Sequence, residues 1–152
     1  LPLSSSEVVI EYHRVGGLAR VDITTQLLGD GRLLRTERSS AGRETREELG
    51  YLELPEMESL VRLAVEGELV EATQADLHRT DDVLINDAVR TTLTINLADY
   101  ARPGRSSGPA RMHLQLQSPS TVARFNKDNP RIATYATIAQ RIALLERSRG
   151  GT

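Results

Sequence analysis

Val8-Val9-Ile10-Glu11-Tyr12-His13-Arg14-Val15-Gly16-Gly17-Leu18-Ala19-Arg20-Val21-Asp22-Ile23 reads as strand, turn, strand. Val8, Ile10 and Tyr12 fall on one face, and Val9, Glu11 and His13 fall on the other. A period of two with one apolar face marks a half-buried strand. Gly16-Gly17 tolerates positive φ and predicts a tight hairpin turn. Beyond it, Ala19, Val21, Ile23 and Leu27 share a face opposite Arg20, Asp22 and Thr24. Gly29-Asp30-Gly31 predicts a second turn, and residues 32–38 a third, more polar strand. The chain therefore opens as an antiparallel meander.

Working outward, residues 39–43 are small and polar, hence a loop. Residues 44–54 admit two readings, a short strand around Tyr51 or a loose lead-in to a helix. Pro55 suits a first helical position. Met57, Leu60, Val61, Ala64 and Val65 recur at helical spacing, which predicts an amphipathic helix from 55 to about 71 with Gly67 weakening its last turns. Residues 72–82 read as a loop and 83–85 as a short strand. Leu93, Ile95 and Leu97 alternate with Thr92, Thr94 and Asn96, and Met112, Leu114 and Leu116 alternate with Arg111, His113 and Gln115. Residues 102–109, rich in Pro, Gly and Ser, connect these two strands. Residues 118–125 could add a helical turn. Pro130 opens a long helix with Ile132, Tyr135, Ile138, Ala139, Ile142 and Leu145 on one stripe, and Asn129 is its N-cap. The fold class is α+β, an antiparallel sheet of about five to six strands with two main helices packed on one face, in the order β-β-β-α-β-β-(β)-α. The organisation expected is a disordered stub at 1–6, one α+β domain at 7–148 and a disordered tail at 149–152.

Composition narrows the function. At 152 residues the chain can bury a real core as one domain. Its 21 acids and 19 bases leave a net charge of −2, without the basic excess that neutralising several phosphates requires, so no nucleic-acid partner is expected. Apolar runs are too short for a transmembrane helix. Cysteine is absent, which removes disulfides, thiolate nucleophiles and cysteine metal sites. The aromatic residues are four Tyr and Phe125, too few for a stacking platform.

Candidate chemistry is sparse. His13 and His113 occupy polar strand positions and read as solvated residues of an open sheet face. Asp76-x-His78-x-x-Asp81-Asp82 has metal-ligand composition but matches no established spacing, so a solvated acidic loop is the simpler reading. Glu44, Glu47 and Glu48 read as a solvated charge run. No Gly-x-Ser-x-Gly elbow occurs, and Gly29-Asp30-Gly31 leads into a strand, where no phosphate cradle forms. An enzyme would need a pocket gathering at least two of His78, Asp81, Asp82, His113 and Glu48. No catalytic residue, metal or cofactor is assigned.

What remains is surface recognition. A rigid hairpin tip with a protruding apolar residue enters a groove with little loss of conformational entropy. Arg14, Gly16, Gly17, Leu18 and Ala19 form the candidate partner-binding set, against the simpler reading of an ordinary turn with Leu18 packed inward. Here the chain resembles the emfourin family, small bacterial inhibitors of thermolysin-like metallopeptidases. The resemblance is carried by Ile10-x-Tyr12-x-Arg14-x-Gly16-Gly17-Leu18-Ala19 and an Asp30-Gly31 turn. It extends more loosely through a helix with Leu60 and Leu63, an Asp-led segment at Asp82, a hairpin and a C-terminal helix. Val15 and Arg20 stand where members often carry Ser and Gly. The resemblance implies a non-catalytic proteinase inhibitor that occludes a metallopeptidase cleft with hairpin loops. The alternative is a secreted or lipid-anchored structural or interaction domain whose partner is unrelated to proteolysis. Leu1-Pro2-Leu3-Ser4-Ser5-Ser6 reads either as the remnant of a removed leader or as a trimmed boundary, and the expectation is an extracytoplasmic protein.

Overall fold

The alternation of the first third becomes two paired strands at the centre of a sheet built outward on both sides. A computed structural model describes residues 8–16, 21–39, 42–70, 72–77, 89–100 and 108–149. Strands β1 (Val8–Gly16), β2 (Val21–Leu28), β3 (Arg32–Arg38), β4 (Glu44–Tyr51), β5 (Val89–Tyr100) and β6 (Gly108–Gln117) form one six-stranded sheet in the order β4-β3-β2-β1-β5-β6. Every neighbouring pair is antiparallel. Helices α1 (Leu54–Glu66), α2 (Pro119–Phe125) and α3 (Pro130–Arg149) complete the α+β fold, with a 3-10 turn at Gln74–Leu77. The stub at 1–6, the segment 83–85, residues 102–107 of the expected connection and 150–152 of the expected tail lie outside the described residues, as do Gly17, Leu18, Ala19 and Arg20, whereas Gly108 and Pro109 belong to β6 and Arg149 to α3.

One face of the sheet is apolar because its strands alternate in phase. Ile10 pairs with Leu27 and Ile95, and Ile95 pairs with Met112, so a single row of buried side chains crosses four strands. This row joins Leu60 and Ala64 of α1 and Ile138 and Ile142 of α3 in one core. The opposite face carries Glu11, His13, Thr92 and Gln115 and is polar. Val9, expected on that polar face, is fully buried, because a register shift between Val8 and Ile10 leaves Val9 as an extra residue outside the simple alternation. Among the described residues, no helix is long and apolar enough to cross a membrane.

Residues 44–51 resolve as a full fourth strand. Only Leu49 of its eight residues is buried, so its apolar pattern could not reveal it. Pairing with β3, from Arg32↔Tyr51 to Arg38↔Glu44, is what makes it a strand. Gly31 closes the adjoining turn at φ +95, and a Cβ there would collide with the Leu52 carbonyl oxygen. Helix α1 starts at Glu53, whose side chain and that of Glu56 form a reciprocal capping box. It ends at Glu66, earlier than the apolar periodicity suggests, because Gly67 approaches Thr134 of α3 and Glu68 adopts φ 58. Asn129 caps α3 as expected, its Oδ1 accepting from the Arg131 and Ile132 N–H groups at 3.1 and 3.3 Å.

Candidate functional site

The β1–β2 hairpin rises from the end of the sheet where Gly16 pairs with Val21 on one side and Val89 on the other. Of the five candidate residues, Arg14 and Gly16 are described. Gly16 holds φ +101 at the end of β1, as the glycine pair predicts for a chain about to turn. Arg14 does not point to solvent. It shares the inner face with Ile10 and Tyr12, and its Nη2 donates to Glu146 Oε1 of α3 at 2.6 Å. The Thr25 hydroxyl donates to the same carboxylate oxygen. The Arg14 guanidinium also lies 5.4 Å from the centroid of the Tyr12 ring, within cation–π reach. The stem is thus tied to the C-terminal part of α3 by a shielded ion pair, and complete removal of one partner would leave the other poorly solvated.

A second polar cluster lies next to it under α3. Thr91 Oγ1 donates to the Leu116 carbonyl at 2.6 Å and sits 2.8 Å from the Tyr135 hydroxyl. Burial pushes the Tyr135 hydroxyl far above its ordinary value. Burial also raises Tyr12, against the opposing effects of the Thr91 hydrogen bond and the Arg14 charge. Both phenols stay neutral at physiological pH, which suits packing and hydrogen bonding and not proton transfer.

On the open face, both histidines lie where the sequence places them, and each has a partner. His13 Nε2 is 2.8 Å from Asp22 Oδ1, and His113 Nδ1 is 2.9 Å from Thr94 Oγ1. A depression of about 470 Å³ runs from beside the hairpin stem to the β6 edge, lined in part by His13, Val15, Arg90, Gln115, Gln117 and Gln74. Gln74 was not singled out by the sequence. Its side-chain amide donates to the Gln115 carbonyl at 2.8 Å and accepts from the Gln115 N–H at 2.9 Å. A lone glutamine in a polar stretch offers no periodic signal that would have revealed this.

Of the five residues an enzyme would draw on, the two that are described lie far apart. Glu48 is on the β4 edge strand and His113 on the β6 edge strand, five strand spacings apart, about 24 Å at about 4.8 Å each. His78, Asp81 and Asp82 lie outside the described residues. Asp76 accepts from the Thr73 N–H and hydroxyl at 2.8 and 3.2 Å. Among the described residues, no group of three or more His, Asp or Glu side chains is placed to hold a metal ion. Glu44, Glu47 and Glu48 are exposed along β4, consistent with a solvated run.

Compared with known proteins, the chain matches no family model and no curated protein.

Proposed function

We propose that this chain is a non-catalytic protein-binding module, a proteinase inhibitor that occludes the cleft of a thermolysin-like metallopeptidase with the β1–β2 hairpin, working outside the cytoplasm and without a cofactor. The observation that carries this reading is the anchoring of the hairpin stem. Its first strand, β1, is paired on both sides as far as Gly16, and Arg14 is tied to Glu146 and Thr25. A loop presented on such a stem loses little freedom on binding, which is the main physical requirement for a tight occluding inhibitor. The choice of peptidase rests on the resemblance of the hairpin sequence.

Titrating a thermolysin-like peptidase with the chain tests it. Saturable inhibition at a one-to-one ratio is expected, with Leu18→Asp weakening it by about tenfold or more, as for an apolar anchor. Absence of inhibition throughout the titration removes the peptidase from the proposal. Inhibition unchanged by Leu18→Asp moves the contact away from the hairpin.

A second reading, an interaction domain with a partner unrelated to proteolysis, is favoured by a different observation. Leu54 and Val65 of α1 and Leu144 of α3 are large apolar side chains left at 53%, 37% and 51% exposure. Leu54→Glu discriminates the two readings, since it should leave peptidase inhibition untouched.

A further inference from the structure

An edge strand presents unpaired backbone donors and acceptors to any segment that can lie beside it. In β6 the pairing with β5 is regular from Gln117 to Ala110, so residues with outward-facing N–H and C=O groups alternate. Gln115 is one of them, because both its backbone groups are taken by Gln74. His113 and Arg111 follow in the same phase. Among the described residues, no backbone partner meets their outward groups. The Gln74 side chain therefore supplies, at one position, the donor and acceptor pair that the peptide group of an added strand would supply. Asp76, in the turn that carries Gln74, is engaged by the Thr73 N–H and hydroxyl, and the sheet face beside the edge is one-sided in charge. The described open face of β5 and β6 carries Arg90 and Arg111, both exposed, and no acid. Arg90 borders the depression that reaches Gln74.

We infer that the β6 edge is a strand-addition site for an extended, acidic peptide segment of a partner protein, closed in the free molecule by the Gln74 amide. The segment lies along Arg111 and His113, displaces Gln74 at Gln115, and sets its carboxylates toward Arg90 and Arg111. This surface is separate from the hairpin, so it stands or falls apart from the peptidase reading.

The test pans a phage-displayed random nonapeptide library against the full chain, then maps the enriched peptides by backbone amide NMR shifts. Enrichment of Asp- and Glu-rich peptides that shift the amides of Arg111, His113 and Gln115 is expected. Gln74→Ala should tighten them about fivefold by removing the competing hydrogen bonds. Arg90→Glu should weaken them about tenfold. His113→Pro removes an outward N–H and the part-buried side-chain contact with Thr94 but no β5–β6 backbone bond, is compatible with an edge strand, and should abolish binding while the fold persists. Leu18→Asp should change nothing. No enriched peptide, a footprint away from β6, or affinity indifferent to both Gln74→Ala and His113→Pro would overturn the inference.

Discussion

The two edges of the sheet are closed against further strands by different physics. At β4 the strand guards itself, with Glu44, Arg46, Glu47 and Glu48 all exposed along eight residues. A two-fold antiparallel pairing of this edge with a second copy centred at Arg46, Glu47 or Glu48 sets that charge against itself, which is unfavourable. At β6 the strand carries Arg111, His113, Gln115 and Gln117, and its guard is a side chain from 41 positions away, Gln74. A self-guarded edge changes only when its own residues change. An edge guarded from elsewhere in the chain can open and reclose, because anything that outcompetes one amide can replace it. The comparison teaches where a binding surface is cheap to build on an otherwise closed sheet.

The largest expected effect comes from breaking the β4 side at its root. Gly31 donates to the Leu28 carbonyl at 2.9 Å, and its own carbonyl accepts from Leu52 at 2.8 Å, which fastens the end of β4 to the β2–β3 turn. Gly31→Ala forces a side chain into positive φ and against the Leu52 carbonyl. A loss of about 3 kcal/mol is expected by urea unfolding. Gln74→Ala, the corresponding break at β6, removes an exposed guard and should lose only about 1 kcal/mol. Equal losses at the two positions would erase the distinction between a structural closure and a removable one.

Next in size is the removal of the β4 charges. Glu47→Thr together with Glu48→Thr should leave monomer stability within about 0.5 kcal/mol, since neither residue is buried. The same change should produce concentration-dependent self-association in sedimentation experiments, because threonine favours strands and no longer repels its copy. A double variant that stays monomeric at high concentration would show that something other than charge closes this edge.

Much of this molecule is legible in its sequence, and the illegible parts have physical reasons. Strands β1, β2, β5 and β6 announce themselves because Tyr12, Ile23, Leu93 and Leu114 sit at every second position of a buried face. Strand β4 has one buried residue and therefore no alternation to read. Arg14 was legible in principle, since it falls two residues after Tyr12 in the inward phase. Glu146, four residues after Ile142 on the stripe of α3, was legible in the same way. Two opposite charges on facing apolar stripes are a signal that they meet. The Gln74 guard was not legible, because one amide in a polar stretch satisfies no period and its partner is a backbone group.

The smallest effect concerns how firmly the β6 guard is held. Asp76 stands two residues after Gln74 in the same 3-10 turn, and its backbone carbonyl accepts from Asn129 Nδ2 at 3.1 Å. Hydrogen bonding from the Thr73 backbone N–H, aided by the Thr73 hydroxyl and the Arg131 charge, holds the Asp76 carboxyl below its ordinary value. A carboxyl depressed on folding stabilises the fold above its unfolded pKa, and that contribution fades as pH falls through the lowered value. Acid should therefore loosen the turn before the strands part, in the range from about pH 5 to pH 2. Exchange of the Gln115 amide, which donates to Gln74, reports it directly once the intrinsic pH dependence is divided out. Asp30 is lowered too, chiefly by the Arg32 backbone N–H, and it sits in the turn beside the β4 closure. Acid alone therefore cannot tell the edges apart, and the variants must. Asp76→Asn should lower protection of Gln115 at neutral pH and flatten its acid step, leaving Leu52 unmoved. Asp30→Asn should do the reverse. Protection of Gln115 that ignores Asp76→Asn would mean the guard is held by Gln74 alone, which would make it easier still to displace.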